Sequence, residues 1–368
     1  MPEHVPSRRD FLARAVSAAA LGASGTAELS LVSAFATSRP ARAGAAGLIP
    51  YGSAVRAGAL ESDASYRAAI IGNCEMIVAE GEMKWGDIRP TRGEYRFEKA
   101  DAIIDFARQN RIEVRGHTLA WYGGLPAWTE DIASPAEAER ELVDHIRTVV
   151  SRYRGVIPSW DVVNEPLVDV PQDATSLRPC VWTRQLGAAY LPIALRTTAA
   201  VDPDARLVVN EYDIEFKGAR FAAKRKALLQ LLRSLREKDV PLHGVGLQAH
   251  LFADRAIDRD GLQQFLLQIA ELKLDVLVTE LDVVDYELPG KISARDALVA
   301  EKAREFLLAV SEVVRPKAIL TWGLSDRYTW VPIYFKRPDG MPNRPLPLDA
   351  ELKRKPLFDV IDEFRSKA

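Results

Sequence analysis

Two glutamates end apolar segments in which a charged side chain has no ordinary place. Glu165 follows the run SWDVVN, and Glu280 follows the run DVLVT. Because glutamate is almost never fully buried without a partner, each carboxyl group must be retained for a reason. Two carboxyl groups can divide the hydrolysis of a glycosidic bond: one protonates the leaving oxygen while the other attacks the anomeric carbon or activates water. Glu165 and Glu280 are therefore the candidate catalytic pair.

Other polar residues stand at the ends of apolar segments in the same way. They are Glu80, Lys84, His117, Asn164, Asn210, Glu211, Gln248, His250 and Asp282. Any one of them could be a solvated strand end or a helix cap. Their recurrence at the ends of so many segments instead favours one shared site.

The apolar segments are short and alternate with stretches of helical periodicity. Eight of them lie near residues 51–56, 74–80, 113–120, 159–165, 206–213, 244–251, 275–283 and 317–324. Between two of them, Ala100, Ile103, Ile104 and Ala107 have the spacing of an amphipathic helix. Strands that alternate with helices predict a parallel sheet, and eight such units predict a single (β/α)8 TIM barrel of the α/β class. The active site of this fold lies at the carboxyl ends of the strands, where the polar residues stand.

Composition and missing motifs narrow the chemistry. The chain has 368 residues, of which 27% are charged, and a formal charge of -2, so we expect no nucleic-acid partner. Its five histidines form no metal-binding motif, and the chain has neither a G-x-S-x-G elbow nor a phosphate-binding loop. We therefore expect no metal and no cofactor. The sequence leaves open whether Cys74 and Cys180 pair.

Residues 1–43 are predicted to be an export signal rather than part of the fold. Residues 7–12 (SRRDFL) resemble a twin-arginine motif, an alanine-rich stretch follows, and residues 41–43 (ARA) offer a cleavage site. A disordered alanine-rich arm is the alternative. The catalytic barrel is then residues 44–368, which we expect to be a monomer in the periplasm or the medium. No later segment reaches the roughly 18 apolar residues that a membrane span needs.

Seven motifs resemble those of glycoside hydrolase family 10, the endo-β-1,4-xylanases. They are EGEMKW (80–85), RGHTLAW (115–121), WDVVNEP (160–166), VVNEYDIE (208–215), GLQAHL (246–251), VTELDV (278–283) and TWGLSDRYTW (321–330). NEP alone is shared with many barrel glycosidases, whereas EMKW followed by GHTLAW at this spacing is much more specific. The resemblance runs from about residue 51 to residue 366.

The resemblance implies a retaining enzyme that cleaves internal β-1,4-xylosidic bonds of xylan by double displacement. Glu165 resembles the acid/base of the family, and Glu280 resembles the nucleophile. Supporting roles are implied for Asn164, Gln248, His250 and Asp282. Asn164 would contact the 2-hydroxyl of the sugar at the cleavage point, and Gln248 would lie near Glu165. His250 and Asp282 would hold Glu280 ionised and oriented.

The resemblance also implies a wall that binds the non-reducing side of a polysaccharide or oligosaccharide. Its residues are Glu80, Lys84, His117, Trp121, Trp322 and Trp330. This assignment agrees with the chemistry, because indoles cover the apolar faces of pyranose rings and charged groups satisfy hydroxyls.

The chain departs from the family pattern at a few positions. Gly81, Tyr122 and Gly124 stand where the family usually has Asn, His and Gln, and two of these usual residues help bind the second sugar. A different or branched β-linked glycan is therefore an alternative substrate. A non-catalytic glycan-binding barrel is an alternative of another class, although a binder has no need of two such glutamates. Glu211 replaces the usual Asp and is left without a role.

Overall fold

The computed structural model describes residues 47–366. The strands in this part of the chain are β1 (Tyr51–Val55), β2 (Met76–Ala79), β3 (Glu113–Ala120), β4 (Ser159–Asn164), β5 (Arg206–Glu211), β6 (Gly244–Leu247), β7 (His250–Phe252), β8 (Asp275–Val284) and β9 (Ile319–Thr321). The α-helices are α1 (Ala57–Ser62), α2 (Ala64–Asn73), α3 (Trp85–Ile88), α4 (Glu98–Asn110), α5 (Pro135–Arg152), α6 (Val181–Leu186), α7 (Tyr190–Val201), α8 (Ala219–Glu237), α9 (Arg259–Glu271), α10 (Ile292–Ser311), α11 (Val331–Tyr334) and α12 (Pro356–Ser366).

The strands close on themselves as a parallel barrel. Strands β1 to β6 pair in sequence order, β6 pairs with β8, β8 pairs with β9, and β9 returns to β1. In the register of the closing strand, Gly52 lies opposite Met76 of β2 and opposite Leu320 of β9. The predicted (β/α)8 barrel is confirmed. All carboxyl ends of the barrel strands therefore face the same side of the molecule.

The sequence suggested that residues 244–251 form one strand, but the structure divides them between two strands. Strand β6 ends at Leu247, and His250 begins β7, which pairs with the far end of β8 opposite Asp282. Between the two strands, Ala249 has φ of 58°, in the left-handed region that residues with a Cβ rarely adopt. The interruption separates Gln248 from His250, and each of them binds a different catalytic candidate.

Helix α5 shows how the sequence specifies the outer layer. Pro135 stands in its first turn, and Ser134 caps it by accepting a hydrogen bond from the backbone N–H of Glu137 at 3.2 Å. Leu142 and Ile146 are fully buried one turn apart, so the same face of the helix packs on the barrel. Full burial of each such side chain contributes about 1.5–3 kcal/mol.

Strands β3 and β4 approach closely because residue 116 is glycine. A Cβ atom at Gly116 would lie 2.0 Å from the ring of Trp160, which is fully buried. Any side chain there would displace the indole from a closely packed interior. The glycine therefore keeps the middle of β3, with His117, next to β4, which leads to Glu165.

The two ends of the described chain are hydrogen-bonded to each other. The Ile49 N–H donates to the Arg365 carbonyl oxygen at 3.0 Å, and Arg365 Nε donates to the Ile49 carbonyl oxygen at 2.9 Å. The same guanidinium donates to both carboxylate oxygens of Glu75 at 2.7 Å. Helix α12 thereby ends beside the start of β1. Between residues 47 and 366, no helix is both long and apolar enough to cross a bilayer.

Candidate active site

Glu165 lies immediately after β4 in a constrained turn. Its φ is 52°, an unfavourable conformation for a residue with a Cβ, and its side chain is only 3% exposed. The backbone N–H of Glu165 donates to the Asn210 carbonyl oxygen at 2.8 Å, and the Arg178 N–H donates to the Pro166 carbonyl oxygen at 2.7 Å. These bonds hold the turn, so the Glu165 carboxyl group is presented at the carboxyl end of the barrel.

Side-chain amides connect Glu165 with Glu280. Gln248 Nε2 donates to Glu165 Oε1 at 3.0 Å and to Asn164 Oδ1 at 3.3 Å. Asn210 Nδ2 donates to the same Asn164 oxygen at 2.8 Å and to Glu280 Oε1 at 2.7 Å. A continuous chain of amides therefore bridges the two carboxyl groups. This arrangement places the ends of β4, β5, β6 and β8 around one reaction centre.

Glu280 faces a histidine that carries charge at neutral pH. His250 Nε2 lies 3.1 Å from Glu280 Oε2, and His250 Nδ1 lies 2.9 Å from Asp282 Oδ1. Burial lowers the pKa of His250, but attraction to Asp282 and Glu280 outweighs it and raises the pKa to about 9. Trp330 Nε1 fixes the other Asp282 oxygen by donating at 2.6 Å. An imidazolium therefore stabilises negative charge on Glu280.

The same ionisation links His250 to stability. Its folded pKa of about 9 lies above the unfolded value of about 6.5. Protonated His250 therefore favours the folded state fully below about pH 6.5, and this contribution disappears as the pH rises through about 9.

Replacing Asp282 with asparagine is expected to lower the pKa of His250 by at least about one unit. The substitution removes the larger of the two attractions that oppose burial. The measurement is an NMR titration of the His250 ring. Asp275→Asn, at the opposite end of β8, is the matched control and should leave that titration unchanged. An unaltered His250 titration in Asp282→Asn would contradict the assignment.

The predicted glycan-binding wall combines aromatic rings with a cation. His117 Nδ1 contacts Asp161 Oδ2 at 3.0 Å, and the His117 ring meets the Trp322 ring edge to face at 5.2 Å. Lys84 Nζ lies 4.8 Å from the Trp121 ring centre and 5.6 Å from that of Trp322. The rings and the ammonium group thus belong to one surface. Such a surface can cover pyranose faces and donate to hydroxyls.

Glu80 immediately follows β2 and is already engaged by a basic residue. Arg56 Nε donates to Glu80 Oε2 at 2.8 Å, and Arg56 Nη2 donates to Glu80 Oε1 at 2.6 Å. A bidentate pair of this kind fixes the orientation of the carboxylate. Among residues 47–366, no group of three or more His, Cys, Asp or Glu side chains is placed to hold a metal ion.

Comparison with known proteins decides the family. The family model described as glycosyl hydrolase family 10 matches residues 41–364. The chain belongs to glycosyl hydrolase family 10. This membership makes it a glycoside hydrolase, and the retaining mechanism is characteristic of the family.

Relatives of this family 10 chain cover most of its length. It is 36% identical over 284 residues to endo-1,4-beta-xylanase B of Thermotoga neapolitana, covering 77% of this chain and 78% of that protein. It is 34% identical over 323 residues to endo-1,4-beta-xylanase A of Phanerodontia chrysosporium, covering 86% of this chain and 74% of that one. The solved structure of xylanase 10B from Thermotoga petrophila RKU-1 in complex with xylobiose superposes with a TM-score of 0.78 at 33% identity. That superposition covers 87% of this chain and 94% of the other.

Of the positions at which this family 10 chain departs from the usual pattern, Gly81 leaves space and Gly124 does not, because a Cβ at Gly124 would lie 3.4 Å from the Trp121 ring. A Cβ at Gly81 would meet only Asp87 Oδ2 within 4 Å, at 3.9 Å. Gly124 has φ of 64°, so a glutamine there would be strained. Tyr122 instead stacks on the Arg178 guanidinium, 4.5 Å from the ring centre, and does not approach the position of a Gly81 Cβ. The left-handed backbone at residue 124 therefore favours the glycine that this chain has there.

The structure brings the predicted site residues of this family 10 chain to the same end of the barrel and adds partners that the sequence did not single out. Thr279 Oγ1 donates to Asn210 Oδ1 at 2.7 Å and so orients the amide that binds Glu280. Asp161 lies inside β4 and holds His117, and Arg56 holds Glu80. Thr279, Asp161 and Arg56 carried no signal in the sequence, whereas Asn210 did, because it repeats the position of Asn164 in the second VVNE.

Proposed function

We propose that this chain is a retaining endo-1,4-β-xylanase in which Glu165 is the acid/base and Glu280 is the nucleophile. The observation that carries this proposal is the difference between two bridged carboxyl groups. Glu280 faces the His250 imidazolium, which suits an ionised nucleophile, whereas Glu165 accepts a hydrogen bond from a neutral amide of Gln248. Carboxyl groups in unlike environments at one site are how enzymes separate acid from nucleophile.

The proposed reaction has two displacements. In the first, a Glu280 oxygen attacks the anomeric carbon, the bond to the leaving sugar breaks, and the Glu165 proton passes to the leaving oxygen. In the second, Glu165 takes a proton from water, and the water oxygen attacks the same carbon and releases Glu280. One water is consumed for each bond cleaved. Asn164 stands between the carboxyl groups, where the 2-hydroxyl of the reacting sugar would lie.

Xylan is the proposed substrate because the relatives point to it. The similar proteins of Thermotoga neapolitana and Phanerodontia chrysosporium are endo-1,4-beta-xylanases, and the similar structure from Thermotoga petrophila RKU-1 is a complex with xylobiose. These likenesses favour xylan over a different or branched glycan. They also favour an enzyme over a non-catalytic binding barrel, since both glutamates are present and bridged.

A retaining mechanism predicts the stereochemistry of the first product. The carboxyl groups of retaining enzymes are about 5–5.5 Å apart, which leaves no room for an attacking water. We therefore expect ¹H NMR of xylan or xylo-oligosaccharide hydrolysis to show the β-anomer first and the α-anomer only after mutarotation. Prompt appearance of the α-anomer would refute the proposed mechanism. No turnover of any glycan, with a folded protein, would refute the proposed activity.

We also propose that the protein is exported through a twin-arginine route. The predicted signal, residues 1–43, lies outside the described residues, and support comes from the SRRDFL motif and the ARA site alone. The test is the amino-terminal sequence of the protein from the periplasm and the medium. We expect the exported protein to begin at residue 44. When Arg8 and Arg9 are both replaced by lysine, we expect the protein to be lost from the periplasm and the medium. A wild-type protein found only in the cytoplasm, with residues 1–43 still attached, would contradict export.

A further inference from the structure

A fully buried ion pair lies beside the Glu165 turn and has no part in the reaction described above. Lys224 Nζ, from α8, is 3.0 Å from Glu211 Oε1 at the end of β5, and both side chains are 0% exposed. Burying two charges is costly and seldom adds stability over an apolar pair of the same size. A role other than stability must therefore explain why this buried ion pair is present.

Glu211 is bonded directly to the segment that carries Glu165. Its Oε2 accepts a hydrogen bond from the Leu167 backbone N–H at 3.1 Å, two residues after Glu165. Its Oε1 accepts from the Tyr212 N–H at 3.1 Å, and Lys224 Nζ also lies over the Tyr212 ring, 3.6 Å from the centre. The carboxylate thus ties the turn after β4 to the end of β5, and the lysine holds the carboxylate.

The pair also lies within electrostatic reach of Glu165. Burial raises the pKa of Glu211, attraction to Lys224 and to Arg178 opposes the rise, and repulsion from Glu165 adds to it. The repulsion acts equally in the other direction. The ionisable groups facing the pair are Glu165, Asp169 and Arg178 after β4, Tyr190 in α7 and Tyr212 after β5.

We propose that the Glu211–Lys224 pair is a positioning device for Glu165. It holds the turn that presents this carboxyl group, and it adds no net charge beside it, so that Glu165 keeps its proton up to the alkaline end of the working pH range. The inference rests on the proposed function, because it takes Glu165 as the acid/base. Glu211 and Lys224 act only through Glu165 and touch no substrate.

The test is the pH dependence of kcat/KM for three variants and the wild type. Glu211→Gln leaves the Lys224 cation uncompensated, so Glu165 should lose its proton about one pH unit earlier, and activity on the alkaline limb should fall about tenfold. Glu211→Gln with Lys224→Met restores zero net charge and should return the alkaline limb to the wild-type position. A purely structural pair predicts instead that the double variant is at least as impaired as the single one.

Lys224→Met alone keeps the test decisive if Glu211→Gln does not fold. Removing the cation leaves the Glu211 carboxylate uncompensated beside Glu165, so the alkaline limb should move to higher pH. An alkaline limb that stays in place or moves to lower pH in folded Lys224→Met would overturn the inference.

The matched control is a second buried ion pair, between Asp326 and Lys355, whose atoms are 2.8 Å apart. Asp326 follows β9, on another side of the barrel from Glu165. Asp326→Asn should lower the unfolding temperature without moving the alkaline limb. An unchanged limb in folded Glu211→Gln overturns the inference while an active wild type leaves the proposed function standing. An inactive wild type would refute the proposed function itself.

Discussion

Glu280→Ala is expected to lower the turnover of every glycoside by about 10⁵-fold or more, the scale seen when a covalent nucleophile is removed. Without the carboxylate no glycosyl–enzyme bond can form, whatever the leaving group. Natural xylan and an aryl glycoside with a good leaving group should therefore lose activity alike. The measurement is kcat on both substrates with the purified variant.

The control for this experiment is a glutamate in the same barrel but at the other end. Glu113 is the first residue of β3, so Glu113→Ala should keep activity close to that of the wild type. Thermal unfolding of each protein separates loss of chemistry from loss of folding. A folded Glu280→Ala protein that retains more than about a hundredth of the wild-type rate would contradict its role as nucleophile.

Glu165→Ala is expected to discriminate between substrates where Glu280→Ala does not. A general acid contributes about 10²–10⁴-fold, and only a poor leaving group needs its proton. Hydrolysis of xylan should therefore fall by about that factor, while glycosylation by an activated aryl xyloside stays nearly unchanged. Because the second displacement still lacks its base, we expect a burst of released phenol followed by slow turnover.

The comparison that tests this role is the ratio of kcat/KM on xylan to kcat/KM on the aryl xyloside within each variant, because kcat/KM reports the first displacement and not the slow second one. Glu113→Ala serves again as the control and should give the wild-type ratio. Equal losses of kcat/KM on xylan and on the aryl xyloside in Glu165→Ala would exclude a proton donor at this position. Loss of the phenol burst together with the steady state would assign the nucleophile to Glu165 instead.

The architecture could be predicted because apolar segments and amphipathic stretches are local patterns. Each run needs only its own residues to be recognised, and eight alternations leave the closed barrel as the simplest solution. The break between β6 and β7 escaped prediction for the same reason. Ala249 adopts a left-handed backbone without the glycine that usually announces one, because its surroundings and not its own preference impose it.

The candidate site was predictable in its polar strand ends but not in its partners. Asn164, Glu165 and Glu280 each interrupt an apolar run, which is a signal in one dimension. Lys224 gave no such signal, since it stands in the sequence AAKRKALL, where a lysine reads as part of a solvated helix face. Its burial against Glu211 depends on the packing of α8 on the barrel, which no local pattern specifies.

Because Ile49 and Arg365 are hydrogen-bonded to each other, the first and last units of the barrel are neighbours. The fold is a closed ring of eight strand–helix units, so the same barrel could be built by a chain that begins at a different unit. Chain ends that meet at a surface are the usual condition for circular permutation. In a chain trimmed to residues 47–366, a short linker could join the two ends, and new ends opened at Gly155, before β4, would lie away from the carboxyl ends of the strands. In such a permutant the catalytic strands would occur in a different order along the chain but would form the same reaction centre.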